Sequence, residues 1–440
     1  MSRIRIFLLP VAALVRRGAW GIPDQAFISL SNFVTTILLA RALTPERFGE
    51  FAVAFSFVTV ALALASAALT QPFVVLSARY DADQYRRFFK ATLLAHLLVI
   101  VAVATAVAAG SGVAAILGWR LAALVAFTIP AFAGWQLQEF VRQVFYTENR
   151  LREAFFNDIL CYGGQVIAFG LAYGAGVLTP ISALLIMAVG FTVATGEGLW
   201  LLRRSLIGSL SQSEFKEFMR EAWSFGRWTF AHATIGSVTG FYIVLILATF
   251  SGSAAAGVLR AFVATTAPMR VLIAGAKTSY GPSAANIAAR EGVAGLQPYI
   301  RRVFVLVGPT VTLYCLLLAL LSRPVLDLVF SGRFDNYAHL LPLFIAAYFI
   351  TEIFFAIEIG LRACRVTDVL VRASLVATIG TWVLGPPLTH LYGLSGLLWL
   401  ALVLAPFSGA MLWLRYQQEV RRRKQYFIGQ GIRQPLSRNY

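Results

Sequence analysis

Residues 17–57 read RGAWGIPDQAFISLSNFVTTILLARALTPERFGEFAVAFSF. One apolar run covers about 20–40 and a second covers about 48–70, joined by a short corner that contains Thr44 and Pro45. Each run holds about 20 residues, enough for a helix to cross a hydrocarbon core of roughly 30 Å. Two such runs so closely joined form a helical hairpin that spans a membrane twice. The first run is not uniformly apolar. Gln25, Ser29, Asn32 and Thr36 recur at i, i+4, i+7 and i+11, which puts them in one stripe of a helix.

The remaining chain extends this pattern. Of 440 residues, 59% are hydrophobic and 13% charged, with a mean hydropathy of +0.74. A soluble domain carries about 25% charged residues, so this chain is an all-α polytopic membrane protein without a large soluble domain. Further spans are expected at about 91–109, 119–141, 155–175, 181–202, 226–250, 254–276, 303–321, 338–360, 368–389 and 394–415. Pro72, Pro180, Pro268, Pro309 and Pro386–Pro387 mark ends or kinks, which packed membrane helices tolerate. The apolar run Ile6–Val15, broken by Pro10 and followed by Arg16 and Arg17, reads as a retained interfacial helix. Cys161, Cys315 and Cys364 lie in apolar stretches without metal or redox spacing.

Charge sets the expected orientation. With both ends inside, the inner segments hold 30 Lys and Arg residues and the outer loops five: Arg41, Arg47, Arg120, Arg323 and Arg333. That asymmetry predicts twelve spans with cytoplasmic termini. The net charge of +17 then reports loops facing anionic lipid rather than a nucleic-acid partner.

A weak repeat divides the chain. At an offset of 208, Gly18, Trp20, Ser29, Phe33, Leu39, Ala40 and Gly49 match Gly226, Trp228, Ser237, Phe241, Leu247, Ala248 and Gly257. The match pairs the first span with the seventh and predicts two six-helix lobes of like orientation around a central cavity. The expected divisions are a lobe over 1–210, a connector over 211–225, a lobe over 226–415 and a basic tail over 416–440. In the connector, Ser211 and Glu214 fit a capping box, and Phe215, Phe218, Met219 and Ala222 share one helical face.

Ionisable groups within spans are the functional candidates, because hydrocarbon makes them expensive. Arg260, Arg270 and Lys277 lie along the eighth span. On one unbroken helix Arg270 and Lys277 are about 20° apart, and Arg260 about 80° from Arg270, a descending ladder of positive charge. Lys277 and Arg260 also suit snorkelling to headgroups. The Gln25–Ser29–Asn32–Thr36 stripe, with His232 at the matching place in the seventh span, either lines a cavity or joins helices. Asp24 either couples a proton or sodium ion or neutralises Arg16 or Arg17. Gln136, Glu139 and Gln143 share a face, Glu139 is within pairing distance of Arg142, and Glu358 and Arg362 form an i,i+4 pair. No P-loop, nucleophile elbow or metal motif is present. The longest outer connection, about 322–337, offers only Arg323, Asp327, Arg333 and Asp335 as charged groups. These features exclude an enzyme and call for neither cofactor nor metal.

The run Leu39-Ala40-Arg41-Ala42-Leu43-Thr44-Pro45-Glu46-Arg47-Phe48-Gly49-Glu50-Phe51 resembles the first corner of the polysaccharide-export branch of the multidrug/oligosaccharidyl-lipid/polysaccharide (MOP) flippase superfamily. That branch shows L-A-R-x-L-x-P-x-x-F-G-x-F after a polar first span. Lipid II flippases are similar but usually carry two further spans. The drug-extruding branch usually has acidic cavities, and the basic loop of major-facilitator transporters is absent around Arg79. The resemblance implies a MATE-like fold and a transporter of the bacterial cytoplasmic (inner) membrane. Its implied partner is a polyprenyl-diphosphate-linked oligosaccharide, flipped by alternating access for exopolysaccharide, capsule or O-antigen export, alongside membrane lipids and other polysaccharide-assembly proteins. The alternatives are a cation/drug antiporter and a non-transporting scaffold for glycan assembly. Arg270, Arg260, Lys277, Gln25, Ser29, Asn32, Thr36 and His232 are the expected substrate contacts, and Asp24 is the ion-coupling candidate.

Overall fold

The computed structural model describes residues 23–364, 366 and 368–429. The expected interfacial helix over 6–15, Arg16, Arg17 and the tail from 430 lie outside the described residues. Helix α1 covers 23–42. Helix α2 (Pro45–Ala65) passes through a π-helical turn (Ser66–Thr70) into α3 (Gln71–Leu76), followed by α4 (Ala82–Ile116), α5 (Ala122–Ala126) and α6 (Thr128–Thr147). Helix α7 (Leu151–Asp158) continues through a second π-helical turn (Ile159–Gly163) into α8 (Gly164–Gly174), then α9 (Pro180–Leu201) and α10 (Gln212–Phe250). The remainder is α11 (Ser253–Thr265), α12 (Ala267–Arg290), α13 (Gly292–Leu320), α14 (Ser322–Phe330), α15 (Leu341–Glu352), α16 (Phe355–Ala363) and α17 (Asp368–Gly429). No strand occurs among the described residues. The protein is all-α and multi-pass.

Over the described residues, each of the twelve apolar stretches falls on a helix or a broken pair of helices. Gly393, at φ 62 and ψ −143, divides α17 into two helices. Only a residue without a side chain adopts that conformation easily, so the last two stretches turn there. By length and hydropathy alone, eight helices among the described residues can cross a membrane, or nine with the broken pair α11–α12. That count takes α17 once, omits α1, which carries the polar stripe, and omits α6, whose Gln136, Gln138, Glu139, Arg142 and Gln143 lower its hydropathy. A helix this polar needs protein around it, and α6 packs chiefly against α9 and α2.

The chain divides into two compact units. One runs to Ala264 and includes Val329–Phe334; the other holds Thr265–Leu328 and the residues from Asp335 on. The division falls later than the repeat boundary near 210–226, because α10 packs along α2 within the first unit. The connector is not a separate element either. Residues 212–250 form one helix of 39 residues, since no proline interrupts them.

The start of that helix is fastened at one end of the first unit. Ser211 and Glu214 form the expected capping box. Arg87 on α4 pairs with Glu214 at 2.5 Å, and Lys90 donates to the carbonyls of Ile207 and Ser209. The Ser211 backbone amide and the Arg87 guanidinium hold the Glu214 carboxyl down to about 2. Phe218 packs edge-on to Tyr80 and against Phe88. Beneath lies a buried phenylalanine cluster of Phe73, Phe88, Phe89, Phe140 and Phe145. Phe73 stacks on Phe88 at 5.4 Å and Phe89 on Phe140 at 5.6 Å, offset pairings that aromatic quadrupoles favour. Burial and the Glu221 carboxylate raise the Tyr80 hydroxyl well above its usual value.

At the other end, the motif of residues 39–51 builds a corner. Thr44 caps α2 and Pro45 opens it, a position where the missing N–H costs nothing. Arg41 Nε donates to the Val329 carbonyl at 2.8 Å, and Arg333 donates to the Leu43 carbonyl at 2.9 Å. Phe48 is fully buried, 5.9 Å from the Phe334 ring. Gly49 meets α11 backbone to backbone. A Cβ on Gly49 would stand 1.6 Å from the Ser253 carbonyl oxygen, and one on Gly257 2.9 Å from the Gly49 nitrogen. The repeat-matched glycines, 49 and 257, therefore face each other. Without a hydrophobic force between helices in lipid, such close backbone approach supplies the packing.

Gly49→Ala should therefore part α2 from α11, an overpacking penalty of about 1–3 kcal/mol. In detergent its apparent melting temperature should fall below that of the parent chain. Gly110→Ala, where nothing lies within 4 Å of the added methyl, should melt like the parent. Equal melting of all three would refute the close approach.

Candidate functional site

In the first unit, α1, α6 and α7 converge on one buried guanidinium. Arg142 lies 3.0 Å from Asp158, 2.9 Å from Glu139 and 3.8 Å from Asp24. The Tyr146 hydroxyl donates to Asp24 Oδ2, while Oδ1 of that carboxylate accepts no hydrogen bond among the described residues and the residue is 1% exposed. Gln138 donates to Asp158 Oδ1 at 2.8 Å, and Gln143 to Glu139 at 2.8 Å. Helix periodicity explains the grouping. Gln138, Arg142 and Tyr146 recur every fourth residue on α6, and Asp158 ends α7 just before its π-helical turn, a geometry common at functional positions. Three carboxylates face one guanidinium, so fully ionised groups would leave two surplus negative charges. In a low-dielectric interior such a surplus is costly unless it is compensated.

Arg260, also in the first unit, lies over the Phe55 ring at 4.0 Å and the Phe51 ring at 5.2 Å, a cation–π arrangement. The aromatic stack continues from Phe55 to Trp135 at 5.6 Å and from Trp135 to Phe191 at 5.1 Å.

In the second unit, α12 carries Arg270 and Lys277, and it packs against α16 and α13. Lys277 Nζ pairs with Glu358 at 2.9 Å. Arg270 is exposed. Its charge acts on Glu352 and Tyr348 of α15, and Lys277 and Glu358 act on Glu352 too. Among the described residues Arg270 forms no salt bridge. The guanidinium is thus neighboured, but among the described residues its hydrogen-bonding fork is not used by a carboxylate.

The structure redistributes several expected groups. The eighth span breaks at Thr266, where Pro268 opens α12. The angular relation of Arg260 to Arg270 drawn for one continuous helix therefore does not hold, and the two lie in different units. Glu358 pairs with Lys277 rather than with Arg362, because a neighbouring helix brings a cation closer than the i+4 position does. Asp24 meets Arg142, whereas Arg16 and Arg17 lie outside the described residues. Of the polar stripe, Gln25 and Asn32 are exposed, Ser29 and Thr36 half-buried, and the Thr36 hydroxyl donates to the Asn32 carbonyl at 2.7 Å. Gln25 also reaches the Tyr146 hydroxyl. His232 lies on α10; its side chain is outside the described residues. Asp158 escaped the sequence reading, although an aspartate entering an apolar run was its signal.

These helices match transporters of known structure. A lipid II flippase, MurJ in an inward closed conformation, superposes with a TM-score of 0.69 at 13% identity, covering 90% of this chain and 88% of that one. An inward-facing multidrug resistance transporter of the MATE family gives 0.69 at 15% identity, covering 90% and 96%. A MOP superfamily transporter from Pyrococcus furiosus, distinguished by the reverse polarity of its binding pocket, gives 0.59 at 14% identity, covering 93% and 95%. The fold is that of the MOP superfamily. A sequence model of polysaccharide biosynthesis proteins matches residues 19–282, and the chain belongs to that family. No curated protein matches it in sequence.

The charge cluster predicts unequal effects. Arg142→Ala strands three carboxylates, and breaking a buried pair in this way costs about 3–5 kcal/mol. That variant should accumulate poorly and melt far below the parent. Asp24→Asn keeps an acceptor for Tyr146 and should melt within a few degrees of the parent. Similar melting of the two variants would contradict the role given to Arg142.

Proposed function

We propose that the protein flips a polyprenyl-diphosphate-linked oligosaccharide across the bacterial cytoplasmic membrane by alternating access, for polysaccharide export. Family membership favours this reading. The observation that carries it is Arg270, an exposed guanidinium within an apolar span that forms no salt bridge among the described residues. Burying an arginine in a membrane helix costs at least ~2.5 kcal/mol on insertion scales, and a diphosphate gripped bidentately offsets that cost. Arg260, held on its aromatic stack, Lys277, and the Gln25–Ser29–Asn32–Thr36 stripe with His232 are assigned further polar contacts to the diphosphate and sugars. The polyprenyl tail stays in lipid, so the protein hydrates only the headgroup. Other polysaccharide-assembly proteins are the expected neighbours.

Asp24 is assigned ion coupling. The surplus of carboxylates around Arg142 supports it, since uptake and release of one proton or cation changes the charge of the first unit. The same cluster is what favours the second reading, a cation/drug antiporter. Arg260 and Arg270 oppose it, because a cationic drug avoids them.

Arg270→Ala should leave abundance unchanged and abolish export of the lipid-linked glycan. Arg270→Lys should restore export only in part, because a point charge replaces a planar fork. Normal export by a stable Arg270→Ala protein would falsify the diphosphate contact.

The orientation, with both termini cytoplasmic, is checked by reporter fusions after Ser251 and after Gly393. Both should read outside, and an inside signal at either would reverse the assignment.

A further inference from the structure

The second unit carries a groove of about 990 Å³ walled by α13, α16 and α17, with no role in the reading above. Its polarity is sorted along its length. On α13, Arg301 and Arg302 line it immediately before the apolar stretch 303–321, with Phe304 about 4 Å further along the axis. On α17, Trp413 lines it within the apolar stretch, and Gln417 lines it one turn beyond. Ile357 of α16 completes the apolar wall. The polar groups of both helices thus sit at one end and the apolar ones at the other.

Both arginines are exposed, and among the described residues neither forms a salt bridge. The groove opens beside Val305 and Leu306, which are 62% and 64% exposed on a face that in a membrane meets lipid. Two adjacent guanidiniums above an apolar slot are complementary to one class of molecule: an anion with a hydrocarbon tail.

We propose that this groove binds an anionic phospholipid, its phosphate held by Arg301 and Arg302 and an acyl chain lying along Phe304, Ile357 and Trp413. Arginine receives a phosphate through paired N–H donors, and basic pockets between membrane helices on the cytoplasmic side select anionic headgroups. Inorganic phosphate would leave the apolar wall unused. A zwitterionic lipid would bring its ammonium against two cations. The binding requires no transport and stands apart from the flipping assigned above; the orientation proposed there decides only which leaflet supplies the lipid.

The test is native mass spectrometry of the full chain, purified in detergent and supplied with phosphatidylglycerol and phosphatidylcholine of identical acyl chains. The parent should retain phosphatidylglycerol in preference by about tenfold or more. Arg301→Gln/Arg302→Gln should lose that preference, while Arg203→Gln/Arg204→Gln, which removes an equal charge elsewhere, should keep it. Trp413→Ala should weaken retention of the same lipid without changing the headgroup preference. An unchanged preference in the first double variant overturns the proposal, as does equal loss in both double variants. Displacement of phosphatidylglycerol by an equal amount of undecaprenyl phosphate also overturns it, in favour of an isoprenoid occupant.

Discussion

Hydrocarbon offers no partner for a polar group, and the structure follows from that constraint. Every backbone N–H and C=O at membrane depth must be satisfied within the protein, so the chain is helical throughout its described spans. The same constraint governs side chains. Arg142 is tolerable only because Asp158, Glu139 and Asp24 surround it, and those carboxylates are tolerable only because Arg142, Gln138 and Tyr146 meet them. Helix α6, too polar to face lipid, becomes the centre of its unit and packs against α9 and α2.

Removing the hydrophobic force between helices shifts the burden of association to contact. At the corner after α1 this takes the form of backbone against backbone, Gly49 against Ser253 and Gly257. The run of residues 39–51 is largely a list of what that corner needs. Arg41 reaches the Val329 carbonyl, Thr44 and Pro45 begin α2, Phe48 fills the space beside Phe334, and Gly49 has no side chain to obstruct the next helix. Its residues therefore speak first of architecture. The proposed function rests on charged groups outside it.

The two units handle charge differently. The first buries an acidic surplus around a single arginine. In the second, α12 presents Lys277 already paired with Glu358, beside an Arg270 that forms no salt bridge among the described residues. A group that must release an ion benefits from near-balanced internal partners, while a group that must grip an anion benefits from an unused fork. The roles proposed for Asp24 and Arg270 rest on this contrast.

The sequence by itself determined the class of fold. Long apolar runs, short corners and few charges admit only membrane helices, and the capping box at Ser211 is local chemistry readable from a few residues. The pairing of Glu139 with Arg142 was legible because three residues separate them on one helix. Only the tertiary structure decided the rest. Asp24 and Asp158 reach Arg142 from helices 118 and 16 residues away in sequence, and Glu358 leaves Arg362 for a lysine on another helix. The break at Thr266 was likewise not fixed by the local sequence, since Pro268 permits either a helix start or a kink. Periodicity fixes which residues share a face of one helix; which faces meet is set by packing between helices, which no single stretch of chain encodes.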